Sequence, residues 1–302
     1  MNPLSLLLPD FLLIACGYLV CRHTALSRPL WEQVERLVYF LLFPVLLFHS
    51  IVKSPLQMQT ASGLIAGGLL LAAGGIALSY VLPWLPGLRR YIDPREHAAA
   101  AQVGFRFNSF IGLALAERLA GAQGLLLIAV LIGICVPLFN MAAVWPMARH
   151  SQRHFGRELL RNPLILATAS GLLANLMGFV MPGWLEPSVS RIGSASLALG
   201  LMAAGAGLQF SSLAQAKVLG ASLIGIKHLL LPLLAFVLGK LLDLEPTQAL
   251  VLLAFSALPT ASSAYVLAAR MGYDGAMVAA LVSISTLMGL VSLPLAMTLA
   301  GR

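Results

Sequence analysis

Charged residues are scarce in this sequence. Only 10% of its 302 residues are Asp, Glu, Lys or Arg, whereas 59% are hydrophobic. A soluble domain needs more polar side chains than this to cover its surface. The composition therefore excludes a soluble protein and predicts an all-α polytopic membrane protein.

Acidic residues and cysteines are rarer still, with 11 Asp and Glu together and three Cys. Cys16, Cys21 and Cys135 lie in or beside apolar stretches and have neither metal-ligand spacing nor a disulfide framework. The sequence contains no DDxxD or HExxH motif, as an intramembrane transferase or metalloenzyme would need. We expect no enzyme, no metal and no cofactor. The remaining alternative, a sensor or channel, would need an output domain, a filter or a charged ring, and none is seen.

Apolar stretches of the length that crosses a bilayer, roughly 20 residues, follow one another along the chain. Together they predict ten transmembrane helices and leave little sequence for a soluble domain. The predicted stretches are 4–21, 37–52, 61–84, 97–119, 122–147, 163–181, 189–210, 217–241, 246–269 and 275–299.

The net charge of +8 comes from basic residues in the short loops between these stretches, so the sequence predicts no nucleic-acid partner. Thirteen of the 19 lysines and arginines fall in odd-numbered loops, namely Arg22, Arg28, Arg36, Arg89, Arg90, Arg95, Arg106, Arg149, Arg153, Arg157, Arg161, Lys217 and Arg270. Five fall in even-numbered loops or at the C-terminus, and Lys227 lies within a stretch. The positive-inside rule then places both termini outside the cytoplasm.

The two halves of the chain, 1–150 and 151–302, resemble each other. The string NPL opens both, and residues 115–138 echo residues 267–290 at an offset of 152. Each half has five predicted spans, an odd number, so the second copy must enter the membrane inverted. Two inverted five-helix repeats are typical of secondary transporters.

A break interrupts the ninth stretch at LPTASS, where Pro259 removes a backbone donor. The offset of 152 places Asn108 of the fourth stretch opposite Thr260. Paired breaks of this kind indicate a transporter's binding site, and the half-helix N-termini that they create favour an anion. The predicted binding residues at the two breaks are Asn108, Ser109, Pro259, Thr260, Ser262 and Ser263.

Two basic residues lie inside the predicted spans. Arg106, two positions before Asn108, either pairs with a substrate carboxylate or extends to the cytoplasmic interface. Lys227 lies too far from both ends of its span to reach the interface. We expect it to neutralise a carboxylate, to reset the empty carrier or to bind a backbone carbonyl. Candidates for ion coupling are Asp10, His49 and His228, and uniport driven by the membrane potential stays open.

The sequence resembles the auxin efflux carrier family, the bacterial relatives of the plant PIN-type carriers. The resemblance covers essentially the whole chain. It rests on LLPDFLLIACGYL, RLVYFLLFPVLLFHSI, FNSFIGLALAE, NPLILATASGLLANLMG and SALPTASSAYVLAARMGYDG. One departure is Gly112-Leu113-Ala114-Leu115, where the family often has proline in a GLPL-like string.

The resemblance implies an export carrier for organic acids in a bacterial inner membrane. Spans 4 and 9 would cross at the substrate site. A scaffold from 1–55 and 160–212 would form a homodimer, and a transport domain from 60–148 and 215–302 would slide against it, as an elevator does. Indole-3-acetate, malate and malonate are substrates or linked substrates of the wider family.

Overall fold

The computed structural model describes residues 3–53, 61–148, 163–208, 217–261 and 263–300, and these form helices and turns without any strand. The helices are α1 (Pro3–His23), α2 (Arg28–Leu37), α3 (Phe43–Lys53), α4 (Ala61–Val81), α5 (Pro94–Ala100), α6 (Ser109–Ala148), α7 (Pro163–Leu176), α8 (Glu186–Ala206), α9 (Lys217–Gly225), α10 (Leu231–Leu241), α11 (Pro246–Ala257), α12 (Ser263–Arg270) and α13 (Gly275–Ala300). Two π-helical turns, Val38–Leu42 and Ile226–Leu230, connect α2 to α3 and α9 to α10. Short 3₁₀ turns occupy Leu82–Trp84, Arg89–Tyr91 and Ala101–Gly104.

Five helical stretches within these ranges are long and apolar enough to cross a membrane. They are Ser62–Trp84, Pro94–Met147, Glu186–Ala206, Lys217–Leu241 and Gly275–Thr298. The protein is therefore a helical membrane protein of the multi-pass type, as the composition predicts. Each predicted stretch contains helix, but the count of ten spans stays a prediction.

Helical structure extends beyond the N-terminal end of the second predicted stretch. The sequence places residues 28–36 in a loop, whereas α2 begins at Arg28, nine residues before the predicted start at 37. Trp31 and Val34 form an apolar face one turn apart that packs with Ala203. The other face is polar, with Arg28 bound to Glu35 at 3.1 Å, and this polarity hides the helix from a search for apolar runs.

Two glycines with positive φ set other boundaries. Helix α7 ends at Leu176 rather than at the predicted 181, because Gly178 adopts a φ of 68° and closes the helix. At Ala120 and Gly121 the backbone of α6 leaves the helical region, with a φ of 55° at Gly121. This point separates the predicted stretches 97–119 and 122–147, so the sequence places the interruption correctly.

Residue contacts divide the chain into two compact units. The first comprises Met1–Ser62, Phe110–Gly133 and His154–Gly207. In it, α1 packs closely along α8. Gly17 lies against the carbonyl of Met202, and Gly205 lies against that of Ile14, so a Cβ on either glycine would overlap the opposing oxygen. Small residues allow such a close approach of two backbones in membranes.

The second unit comprises Gly63–Ser109, Ile134–Arg153 and Leu208–Arg302. Here α11 packs against α10 and α13, and α13 also packs against α12. Helix α13 buries the polar residues Ser283, Ser285 and Thr286. Buried polar groups in an apolar helix need hydrogen-bond partners. One partner of Ser285 is Thr260, which lies in the non-helical segment between α11 and α12.

Candidate functional site

The predicted interruption of the fourth stretch is present. After α5 and the 3₁₀ turn Ala101–Gly104, the chain is non-helical through Asn108, and α6 begins at Ser109. Phe105 and Phe107 are both buried, with the Phe107 ring centroid 4.4 Å from that of Phe255. Arg106, between them, is only partly buried. Phe105 has φ −124° and ψ −26°, so the chain leaves the helical conformation at this residue.

The predicted interruption of the ninth stretch is also present, and proline causes it. Helix α11 ends at Ala257, and Leu258 has φ −58° and ψ 139°. Proline disfavours the helical conformation at the residue that precedes it, here Leu258 before Pro259, and removes a backbone donor. Helix α12 begins at Ser263. Ser262, one of the predicted binding residues, lies outside the described residues.

The two interrupted segments bind to each other through hydrogen bonds. The backbone N–H of Asn108 donates to the carbonyl oxygen of Pro259 at 2.7 Å. The hydroxyl of Thr260 donates to the carbonyl oxygen of Val103, also at 2.7 Å. Each segment therefore satisfies backbone groups that the other leaves without a helical partner, as an apolar environment requires. The sequence offset pairs Asn108 with Thr260, and the structure places these two residues in adjoining hydrogen bonds.

The side chain of Arg106 reaches the first residue of α12, Ser263. Its guanidinium donates to Gln102 Oε1 at 2.9 Å, to Asn140 Oδ1 at 3.2 Å and to Ser263 Oγ at 3.0 Å. The side chain is thus bound beside the second break. Both interpretations of Arg106, pairing with a substrate carboxylate and extension to the cytoplasmic interface, stay predictions.

His228 connects the second break to α13. Its Nδ1 lies 2.8 Å from Ser292 Oγ, and its Nε2 lies 2.8 Å from Ser285 Oγ. Ser285 Oγ accepts a hydrogen bond from the backbone N–H of Thr260 at 3.0 Å. The hydroxyl group of Ser285 therefore links the imidazole to the backbone of the second interrupted segment.

The sequence of this chain matches a known protein family. The sequence model described as "Membrane transport protein", which covers the auxin efflux carriers, matches residues 136–297, more than half of the chain. The chain belongs to this transporter family. No curated protein matches the chain. The prediction from the sequence motifs is thereby confirmed at the level of the family.

The matched part of this membrane transport protein includes Lys227. This residue lies in the π-helical turn Ile226–Leu230 and is 2% exposed. It is the longest charged side chain among the fully buried residues of the described part of the chain. π-helical turns in longer helices often occur at functional sites because they redirect one side chain.

Two other predicted residues of the transporter lie in the first unit. His49 is buried in α3, and Asp10 is part of α1, so both belong to the first unit. The side chain of Asp10 lies outside the described part of the chain. Their role in ion coupling stays a prediction. Among the described residues, no group of three His, Cys, Asp or Glu could hold a metal ion.

Sequence reasoning missed four polar side chains of this site, namely Gln102, Asn140, Ser285 and Ser292. The signal for two of them was available, because Gln102 and Asn140 are amides inside apolar stretches. Gln102 Nε2 donates to the carbonyl of Ala264 at 3.2 Å, so it too joins the two broken helices. Serines are common in membrane helices, so Ser285 and Ser292 could be found only from their contacts.

A cleft of about 640 Å³ lies elsewhere in the second unit, and Tyr80, Trp84, Arg89, His97 and Trp145 are among its lining residues. None of the residues predicted to bind substrate lines it. The polar residues around the two interrupted segments are the better candidate for a binding site, because a positive charge and non-helical backbone lie close together there.

Proposed function

We propose that this transporter carries a small organic anion and binds it where the two interrupted segments meet. The proposal rests on one observation above all. The guanidinium of Arg106 lies at the first residue of α12, next to the hydrogen bond between Asn108 and Pro259. A cation and a helix N-terminus in one place favour a carboxylate.

The charges near the breaks support an anion rather than a cation as substrate. Arg106 and Lys227 are the basic residues of this region, and the fourth stretch has no acidic residue before Glu117, nine positions after Asn108. The ninth stretch has none at all. An anion bound here would compensate charges that are costly in an apolar environment. The substrate classes to test are indole acids and small mono- and dicarboxylates.

The transport cycle that we propose follows the resemblance. Ten spans in two inverted repeats would cross a bacterial inner membrane, with both termini outside the cytoplasm. Spans 4 and 9 would cross at the site. Residues 60–148 and 215–302 would move with the substrate against a dimeric scaffold formed by 1–55 and 160–212. The membrane potential, worth about 2.3 kcal/mol per charge per 100 mV, or an ion gradient would drive export.

Ligand-dependent thermal shifts of the purified protein test the site. We expect a shift with at least one acid from a panel of indole-3-acetate, malate and malonate, and loss of that shift in Asn108→Ala. Arg89→Ala is the matched control, because Arg89 lines the separate cleft. A shift that Asn108→Ala retains and Arg89→Ala loses would move the site to the cleft. No shift with well-folded protein would overturn organic-acid transport.

A further inference from the structure

The hydrogen bonds of His228 reach both sides of the second break. Ser292, bonded to Nδ1, donates to the carbonyl oxygen of Ala257, the last residue of α11, at 3.4 Å. Ser285, bonded to Nε2, accepts from the N–H of Thr260 beyond the break. Two hydroxyls thus connect one titratable ring to the backbone that frames the proposed anion site.

In the neutral imidazole, the hydrogens of this network can be arranged so that every donor has an acceptor. With the ring hydrogen on Nδ1, Ser292 accepts it and directs its own hydroxyl hydrogen to the carbonyl oxygen of Ala257. Nε2 then accepts the hydroxyl hydrogen of Ser285. The hydroxyl of Thr260 is already directed at Val103.

The same atoms can also hold one more proton. With a hydrogen on Nε2, the ring donates to Ser285 Oγ, and the Ser285 hydroxyl must turn to another acceptor. Thr260 Oγ1 lies 3.2 Å from Ser285 Oγ and has a lone pair available. Every donor keeps an acceptor in both states, so protonation leaves no buried group without a partner.

The charges around His228 determine whether its imidazole ring takes up a second proton. The elements that pack against its π-helical turn are α9, α10, α11, α13 and the 3₁₀ turn Ala101–Gly104. The titratable groups on these elements are Lys217 in α9 and Lys240 in α10, and Lys227 is the neighbour of His228 in the turn itself. All three are basic. An imidazolium would therefore repel Lys227 until an anion arrives nearby.

We propose that His228 is the proton-binding residue of this transporter and that it takes up a proton when an anion binds at the breaks. This inference rests on the proposed function. The bound anion offsets the repulsion between Lys227 and the imidazolium, so the two ligands favour each other reciprocally. The proton comes from the solution, and Ser285 transmits the change to Thr260 by turning its hydroxyl. The proton and the anion would then cross together, so an inward proton gradient would oppose export rather than drive it.

Calorimetric titration in buffers of different ionisation enthalpy measures the protons taken up per anion bound. Malonate, malate and indole-3-acetate serve as probes. For the wild-type protein we expect uptake of up to about one proton, and an affinity that rises up to about tenfold per unit fall in pH. His228→Gln should bind the anion without proton uptake and without this pH dependence. The glutamine amide retains a donor and an acceptor for the two serines.

The matched control is His97→Gln, a second buried histidine, whose Nε2 lies 2.8 Å from the carbonyl oxygen of Ser79. It should keep the proton uptake. Anion binding by the wild type without proton uptake, or uptake that His228→Gln retains, would overturn this inference and leave the proposed function standing. The wild-type titration decides this even if the variant does not fold. No binding of any probe by the wild type would overturn the proposed function itself.

Discussion

Thr260 and Val103 lie 157 positions apart in the sequence, yet the hydroxyl of one donates to the backbone carbonyl of the other at 2.7 Å. Thr260 is fully buried, and its own N–H is bound by Ser285. One side chain therefore joins both interrupted helices and α13. Much of what we expect of the site follows from this connection.

Replacement of the Thr260 hydroxyl should weaken both the fold and the site. Thr260→Val keeps the shape but leaves the carbonyl of Val103 without this donor, which costs about 1–3 kcal/mol in a buried place. We expect a lower thermal midpoint and weaker anion binding. Thr298→Val is the matched control, because the exposed hydroxyl of Thr298 donates to the carbonyl oxygen of Leu295 within the same helix. Equal effects of the two substitutions would contradict the connecting role.

Arg106 should not be replaceable by lysine without loss. Its guanidinium donates to Gln102, Asn140 and Ser263 at once, and a lysine ammonium does not reproduce this planar arrangement. We expect Arg106→Gln to lower anion affinity about tenfold to a hundredfold and Arg106→Lys to recover part of the loss. Arg90→Gln, an exposed arginine stacked on Tyr91, should change little. Unchanged affinity in Arg106→Gln would place the anion elsewhere.

Lys227 should affect stability and binding in opposite directions. A buried ammonium group is costly in an apolar environment, so Lys227→Met should raise the thermal midpoint of the empty protein. If the charge serves the anion, the same variant should lose tenfold or more in affinity. Lys240→Met, an exposed lysine near Phe236, is the control. A less stable variant with unchanged affinity would make Lys227 a packing residue.

Glu35 in α2 should make the stability of the protein depend on pH. Burial raises the pKa of its carboxyl above the ordinary 4.5, more than the neighbouring Arg28 lowers it. The folded state then holds more protons than the unfolded state above pH 4.5, so the free energy of unfolding falls as pH rises through that window.

Glu35→Gln should flatten this slope in melting curves between about pH 4 and pH 7 and should cost no stability at neutral pH. Glu32→Gln, at a more exposed partner of Arg28, serves as the control and should leave the slope in place. A steeper slope in Glu35→Gln would show that the ion pair with Arg28 outweighs burial.

The contact between α1 and α8 should depend on the absence of a side chain at Gly17. A Cβ there would overlap the carbonyl oxygen of Met202, so Gly17→Ala must separate the helices or fail to fold. Gly225→Ala is a matched change in a helix, because no atom lies within 4 Å of its Cβ position. It should be neutral or stabilising by up to about 1 kcal/mol. Thermal midpoints of the two variants in one detergent test the difference.

The sequence predicted the helical membrane class and the two interruptions because these depend on local chemistry. Composition decides whether a chain can be soluble, and a proline disfavours helix at the residue before it. The amphipathic helix α2 was missed for a local reason as well. The search followed apolar runs, whereas Trp31 and Val34 form only a stripe between charged residues.

The contacts of the candidate site could not be read from the sequence, because they join residues far apart in the chain. The structure alone shows that Asn140 and Ser263 surround the guanidinium of Arg106. Ser285 and Ser292 have no distinguishing pattern in the sequence and matter only because His228 lies between them. The sequence alone determined where the chain must leave the helix, since that is set by neighbouring residues. Only the tertiary structure decided which distant side chains satisfy the exposed backbone, since hydrogen bonds depend on proximity in space.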